Sequence, residues 1–156
     1  MSTESSQTSG AEEQSDLNQK YIAFGATIGS VALALQHIAL EGHFPEAVAF
    51  VFSIVSVFGW IMFGVGIFRN YKLNKSAEGR AFFVRAKSDE RLVSIKSRSF
   101  MFGFGTMMAV QVLLMILYVA GGPDGIHFLT IPVAATSTIA AGVTGAVLRN
   151  LSLINR

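Results

Sequence analysis

Cysteine is absent from the 156 residues of this chain, and charged residues are scarce. The lack of cysteine excludes disulfides, thiolate metal ligands and a cysteine nucleophile. Asp, Glu, Lys and Arg make up 14% of the residues, whereas a soluble domain carries roughly 25%. Because 51% of the residues are hydrophobic and the mean hydropathy is +0.50, the composition is typical of a membrane protein.

The missing charge leaves four long apolar runs. Each is close to the roughly 20 residues that a helix needs to cross a bilayer, and a helix satisfies its own backbone hydrogen bonds within lipid. We therefore predict an all-α fold, an integral membrane four-helix bundle made of two antiparallel transmembrane hairpins, and no cofactor. The predicted spans are 21–40, 45–68, 100–120 and 129–148.

Outside the spans lie two short loops, a long middle segment and a polar tail. The loops 41–44 and 121–128 each force a hairpin, and the second contains the strong turn sequence Gly-Gly-Pro-Asp-Gly. Residues 1–19 are rich in Ser, Thr, Gln and Glu, so we predict a disordered acidic tail ahead of a transmembrane domain at 20–156. The middle segment, 69–99, is the one connection long enough to hold structure of its own.

The basic residues all lie on one side of the predicted membrane. The middle segment holds nine of the twelve Lys and Arg residues, and Lys20, Arg149 and Arg156 flank the first and fourth spans on that same side. Because positively charged loops stay in the cytoplasm, we predict that both termini and the middle segment are cytoplasmic and that the protein lies in a cytoplasmic (inner) membrane. Because the middle segment lies between two spans, its positive charge is more simply a signal of topology in the lipid bilayer than a sign of nucleic-acid binding.

The middle segment is the first candidate site. Ser88 is a fair helix N-cap, with Asp89 and Glu90 in the first turn, and this helix is expected to run on into the third span. One interpretation is a docking element for a partner or for anionic lipid headgroups. The simpler one is a solvated extension whose charges only set topology. The candidate residues are Arg85, Lys87, Asp89, Glu90, Arg91, Lys96 and Arg98.

The run Asp89-Glu90-Arg91, followed by Ile95 and small residues before an apolar span, resembles the D-E-R-x-x-x-I juxtamembrane segment of small multi-span prokaryotic membrane proteins of unknown function. The resemblance is confined to this short stretch. Such families often have an Ala-containing segment before the span, where this chain has Ser-Arg-Ser. The resemblance implies a membrane fold and no particular activity.

Small residues recur along one face of the first and fourth spans. The pair Gly25-x-x-x-Gly29 is a GxxxG motif, which lets two helix backbones approach closely in lipid. We expect the first span to pack on the fourth through these faces, and homodimerisation through one of them is the alternative. The two stripes are Gly25, Gly29, Ala32 and Gln36, and Ala134, Thr138, Ala141 and Gly145.

Gln111 lies near the middle of the third span. An amide at that depth costs free energy unless it is hydrogen-bonded, and Thr136 and Thr138 of the fourth span lie at a comparable depth. We interpret Gln111 as a residue that holds helices together; a transport pathway is the alternative. No Asp, Glu, Lys or Arg lies deep in any span, which argues against an ion-coupled pump.

The three histidines fall toward the outer face, together with Glu41, Glu46 and Asp124. Imidazoles and carboxylates at one rim suit a zinc- or iron-like ion or a pH sensor. Metalloprotease spacing is missing, so we expect ordinary interfacial residues and no metal. The candidates for a metal site are His37, His43 and His127.

These patterns contain no recognisable catalytic or nucleotide-binding motif, so we predict no enzyme activity. We expect a non-catalytic small integral membrane protein that binds or regulates a membrane or cytoplasmic partner, with a membrane protein or a second copy as candidate partners. The alternative is a small oligomeric transporter or channel. A membrane metalloenzyme that uses the outer histidines ranks last.

Overall fold

The computed structural model describes residues 3–120 and 129–154, and the regular elements in these ranges are all helices. Four of the five helices are long and apolar enough to cross a membrane, which confirms the predicted helical membrane bundle. The predicted spans 21–40 and 100–120 fall within α1 and α4, whereas the spans 45–68 and 129–148 begin one and two residues before α2 and α5. The helices are α1 (Thr3–Glu41), α2 (Glu46–Lys75), α3 (Ala77–Ser88), α4 (Glu90–Ala120) and α5 (Ile131–Ile154).

The four long helices form a row, in the order α2, α1, α5, α4. Helix α1 packs on α2 and on α5, and α4 packs on α5. Within the described residues, α2 contacts neither α4 nor α5, and α1 does not contact α4. The bundle is therefore open. Helices α2 and α4 are its edge helices, and each of them packs on one other long helix.

Large apolar side chains cover the outward faces of this row. Phe50 and Phe68 of α2 are 67% and 66% exposed, and Phe100 of α4 is 74% exposed. A soluble monomer rarely exposes apolar area on this scale, whereas lipid tails are a suitable solvent for it. The outward faces thus agree with the four candidate membrane spans.

Residues 3–19 form the first turns of α1, not the disordered tail that their composition predicts. Ala11, Ser15 and Asn18 are buried, and they extend the spacing of the small-residue stripe toward the N-terminus. The composition misled because a side chain need not be large or apolar to fill a narrow gap between two helices. Small residues suffice where backbones lie close together.

Helices α1 and α2 pair antiparallel along two seams in which steps of three and four residues alternate. This heptad spacing keeps one face of a helix turned toward its neighbour, and every member of both seams is buried or half-buried. The seam of α1 is Ala11, Ser15, Asn18, Ile22, Gly25, Gly29, Ala32 and Gln36. The seam of α2 is Ala49, Phe52, Ser56, Gly59, Phe63, Gly66, Asn70 and Leu73.

The middle segment is almost entirely helical, with two one-residue breaks. At the first, Ser76 has φ −71° and ψ 153°, and its Oγ accepts a hydrogen bond from the Gly79 amide at 3.0 Å. At the second, Asp89 caps α4, because its Oδ1 accepts from the Arg91 amide at 2.9 Å. The predicted N-cap, Ser88, is instead the last residue of α3. From Glu90 the helix runs unbroken through the third span, as predicted.

Candidate functional site

The small-residue stripe of the first span faces α2, not the fourth span. A Cβ added at Gly25 would lie 2.8 Å from the Gly59 carbonyl oxygen, and one added at Gly59 would lie 2.7 Å from the Gly29 Cα. The Ser56 hydroxyl donates a buried hydrogen bond to the Gly29 carbonyl at 3.0 Å. Ala32 is 3% exposed in the same seam. Gly25, Gly29 and Ala32 are therefore occupied within one subunit and offer no surface to a second copy.

The glycines of the fourth span face α4. A Cβ added at Gly145 would lie 2.8 Å from the Thr106 Oγ1, and one added at Gly142 would lie 3.4 Å from the Gly103 carbonyl oxygen. Gly145 belongs to the predicted stripe, and Gly142 lies beside it on the same side of the helix. The second hairpin is therefore also closed by contacts between small residues, in agreement with a close backbone approach in lipid.

The rest of that stripe, Ala134, Thr138 and Ala141, is half-buried. The Thr138 hydroxyl donates to the Ala134 carbonyl of its own helix at 2.6 Å. On the side of α5 opposite Gly142, Val133 is 2% and Ala140 7% exposed, and this side covers the contact with α1. The central helix α5 thus uses two separate faces for its two neighbours.

Gln111 lies on the outward side of α4 and is exposed. The threonines proposed as its partners bond within their own helix, since Thr136 Oγ1 donates to the Pro132 carbonyl at 2.7 Å. No described residue hydrogen-bonds the Gln111 amide. The sequence places this residue near the middle of the predicted third span, but it does not show which neighbour the side chain faces.

Buried polar side chains in the N-terminal half of α1 form a feature that the sequence analysis did not identify. Asn18 is fully buried and Ser15 is 1% exposed, and neither side chain has a hydrogen-bond partner among the described residues. The Asn70 Oδ1 of α2 is likewise buried without a partner. The signal was the continuation of the heptad spacing from Gly25 back into the polar tail.

Two open grooves flank the ends of the α1–α2 pair. One, of about 290 Å³, lies beside α3 at the end that carries the basic residues; it is lined by Ile22, Ile67, Asn70, Tyr71, Asn74 and Phe83. The other, of about 580 Å³, lies at the opposite end and includes Gln36, Leu40, Glu46 and Phe50. Gln111 lines neither groove, so these openings give no support to a transport path past that amide.

The exposed basic residues of the middle segment lie on α2, α3 and α4. Between described side chains the one ion pair joins Lys20 to Asp16 at 2.6 Å, so the exposed cations of this segment have no acidic partner among those side chains. The side chains of Arg85 and Lys87, and all of His127, lie outside the described residues. We call the exposed set the basic segment: Lys72, Lys75, Arg80, Arg91, Lys96 and Arg98.

Two arginines next to the basic segment lie over aromatic rings of the neighbouring helix. The Arg69 guanidinium is 5.6 Å from the Tyr21 ring, and that of Arg149 is 5.9 Å from the Phe102 ring. Each contact joins the two helices of one hairpin at the end where the basic residues collect. An arginine stacked on an aromatic ring at a membrane interface keeps its charge near water.

The two described histidines, His37 and His43, have separate structural surroundings. The His37 Nδ1 lies 2.9 Å from the Leu33 carbonyl oxygen of its own helix. His43 follows the end of α1 in the left-handed region, with φ 55°. The described residues contain no group of three or more His, Cys, Asp or Glu side chains that could hold a metal ion.

The conformation of His43 belongs to a helix-ending turn. The Phe44 amide donates to the Ala39 carbonyl at 3.0 Å, and the His43 amide faces the Leu40 carbonyl at 3.4 Å, which is the Schellman arrangement. Glycine is the usual residue at this position because a Cβ is strained there. The residue at 43 therefore serves the turn through its backbone.

Replacement of His43 by glycine should raise the free energy of unfolding by about 1 kcal/mol, because it removes the left-handed strain of an L residue. Chemical unfolding in detergent measures the change. His37→Ala is the matched control, since it alters an outer histidine inside regular helix. A loss of stability in the His43→Gly variant would show that the imidazole itself contributes to the fold.

Comparison of the chain with protein-family models, with curated proteins and with solved structures gives no match.

Proposed function

We propose that this membrane protein is a non-catalytic component that binds a partner protein through its basic segment. The observation that carries the proposal is the set of exposed cations without acidic partners among the described residues. Their charge is available to an acidic surface on another molecule, whereas paired surface charges contribute little to binding. The same cations also suit anionic lipid headgroups, which are the other candidate ligand.

The helices present these charges away from the hydrocarbon. Helix α2 continues seven residues past Phe68, and α4 begins ten residues before Phe100, so each extends roughly 10–15 Å beyond its apolar run. Helix α3 contacts α1, α2 and α4, and these contacts hold the middle segment against the bundle. A charged surface on short rigid helices loses little conformational entropy when a partner binds.

The alternative of a small transporter or channel has less support. The row of helices leaves two shallow grooves at its ends, and the polar group deepest in α4 points outward. A solute path needs polar groups that face a common cavity. An oligomer of this chain would have to build such a path between copies.

We predict that the basic segment and both termini are cytoplasmic. A single cysteine at the exposed Lys75, in a chain that has none of its own, should react with a membrane-impermeant maleimide only after the cells are opened. The reason is that Lys and Arg near span ends are retained in the cytoplasm. A cysteine at exposed Phe44, on the opposite side, is the control and should react in intact cells. The opposite labelling pattern would show that the basic segment faces the outside of the cell and would contradict the prediction.

Affinity purification in a mild detergent tests partner binding. A specific protein should copurify at near-stoichiometric amount, and its recovery should fall several-fold when Lys96 and Arg98 are both changed to Gln. Recovery should also fall at high salt, because exposed charge pairs are screened. Lys20→Gln is the control, since Lys20 is already paired with Asp16. Equal recovery with all variants, or no copurifying protein at all, would contradict the proposal.

A further inference from the structure

The exposed side of α4 carries a further heptad seam, and no described residue covers it. Its members alternate steps of three and four residues, as the α1 and α2 seams do. Met101 is 70% exposed, Phe104 53%, Met108 44% and Met115 68%, and exposed Gln111 occupies the remaining position. We call this set the outer seam: Met101, Phe104, Met108, Gln111 and Met115.

The outer seam differs from the corresponding face of the other edge helix in one respect. On α2 the exposed residues from Phe50 to Phe68 are all apolar or glycine, which lipid alone can solvate. On α4 the outer seam places an amide near the centre of the apolar run, without a hydrogen-bond partner among the described residues. Lipid tails offer no donor or acceptor to this amide.

A second copy of the chain can supply a hydrogen-bond partner for the Gln111 amide. Copies in one membrane share a topology, so their α4 helices lie parallel and place identical residues at the same depth. The amide has both donor and acceptor atoms, so two Gln111 side chains related by a two-fold axis can each donate to the other. A two-fold interface of this kind is self-complementary, whereas a partner of another sequence would have to present a hydrogen-bonding group of its own at that depth.

The neighbours of Gln111 on the seam fit the same arrangement. Phe104 and the three methionines allow sulfur–aromatic contacts between facing helices. Gly105, next to the seam, has open space beyond its Cα and permits close approach of a second backbone. The glycines of the small-residue stripes already face a neighbouring helix of the same subunit, so they are not available to a second copy.

We propose that the protein forms a parallel two-fold homodimer through the outer seam, with the two Gln111 side chains hydrogen-bonded to each other. The dimer brings together two basic segments on one face of the membrane. This inference does not depend on the proposed partner protein, because the outer seam lies within the bilayer and the basic segment lies outside it.

Cysteine cross-linking in native membranes tests the contact surface. Met108→Cys lies on the outer seam, and Leu113→Cys is an exposed control on the same helix, away from the seam. Oxidation should give a covalent dimer with Met108→Cys and several-fold less with Leu113→Cys. Equal cross-linking at the two positions, or none at Met108→Cys, would overturn the proposed interface.

Energy transfer between labelled copies in neutral phospholipid vesicles, at a series of protein-to-lipid ratios, tests the role of Gln111. Gln111→Leu should weaken dimerisation roughly tenfold, which corresponds to the 1–2 kcal/mol that a hydrogen bond between membrane helices is worth. Ile116→Leu, an exposed change off the seam, should have less than about a twofold effect. Both variants face lipid in the monomer, so folding should be unaffected. A monomeric wild-type protein at every ratio, or unchanged dimerisation of Gln111→Leu, would contradict the proposal.

Discussion

Replacement of Gly25 by alanine is expected to lower the free energy of unfolding in detergent by about 2–3 kcal/mol. A Cβ at this position would lie 2.8 Å from the Gly59 carbonyl oxygen and 2.9 Å from the Phe63 Cα. Both are backbone atoms, so no side chain can rotate away, and α1 and α2 must separate. Separation weakens the dispersion contacts of both seams and the hydrogen bond from Ser56 to the Gly29 carbonyl at 3.0 Å.

Gly64→Ala is the matched control for this prediction. Gly64 lies on α2, but an added Cβ would meet nothing within 4 Å. Alanine is also the better helix former, by up to about 1 kcal/mol, so the control should be neutral or slightly stabilising. Titration with a denaturing detergent, followed by the fluorescence of Trp60, measures both variants. Equal stability of Gly25→Ala and Gly64→Ala would mean that the two backbones are not in contact.

Gly29 is expected to be more tolerant than Gly25, although both belong to one stripe. A Cβ at Gly29 would lie 3.1 Å from the Trp60 ring, which is a side chain and can shift by a few tenths of an ångström. The sequence identifies the stripe but gives the two glycines equal weight. The difference arises from what each one faces, and that depends on the register between α1 and α2.

The four spans and their hairpins could be predicted from the sequence because length and apolar composition alone determine them. The pairing of the stripes could not. A run of small residues shows that some backbone comes close, without showing which one. The heptad spacing of the stripe continues toward the N-terminus through Ile22, Asn18, Ser15 and Ala11. It therefore indicates a helix contact that is longer than the apolar run. The seam of α2 extends over a similar length.

Gln111 shows the opposite limit of sequence reasoning. Its depth follows from counting residues, but α4 is apolar on both sides, so no periodicity separates the face that meets α5 from the face that meets lipid. The position of Gly103 and Thr106 against Gly142 and Gly145 decides the question. The side chain expected to join α4 to α5 therefore points out of the subunit.

Replacement of Asn18 is expected to raise the free energy of unfolding, whereas replacement of Gly25 is expected to lower it. Its side chain is fully buried in the seam with α2, and neither its Oδ1 nor its Nδ2 has a partner among the described residues. A buried amide without hydrogen bonds costs about 1–3 kcal/mol. An apolar side chain of similar shape does not carry this cost, so Asn18→Leu should raise the free energy of unfolding by about 1–2 kcal/mol.

The control for this change is Asn74→Leu, at the same end of the bundle. Asn74 is exposed and lines the groove of about 290 Å³ beside α3, so its replacement should alter stability by less than about 0.5 kcal/mol. Denaturant titration of the two variants separates the effect of burial from that of residue type. A loss of more than about 1 kcal/mol in Asn18→Leu would show that the native amide is hydrogen-bonded. The partner would then be water or a polar ligand held between α1 and α2, next to Ser15 and the buried Oδ1 of Asn70.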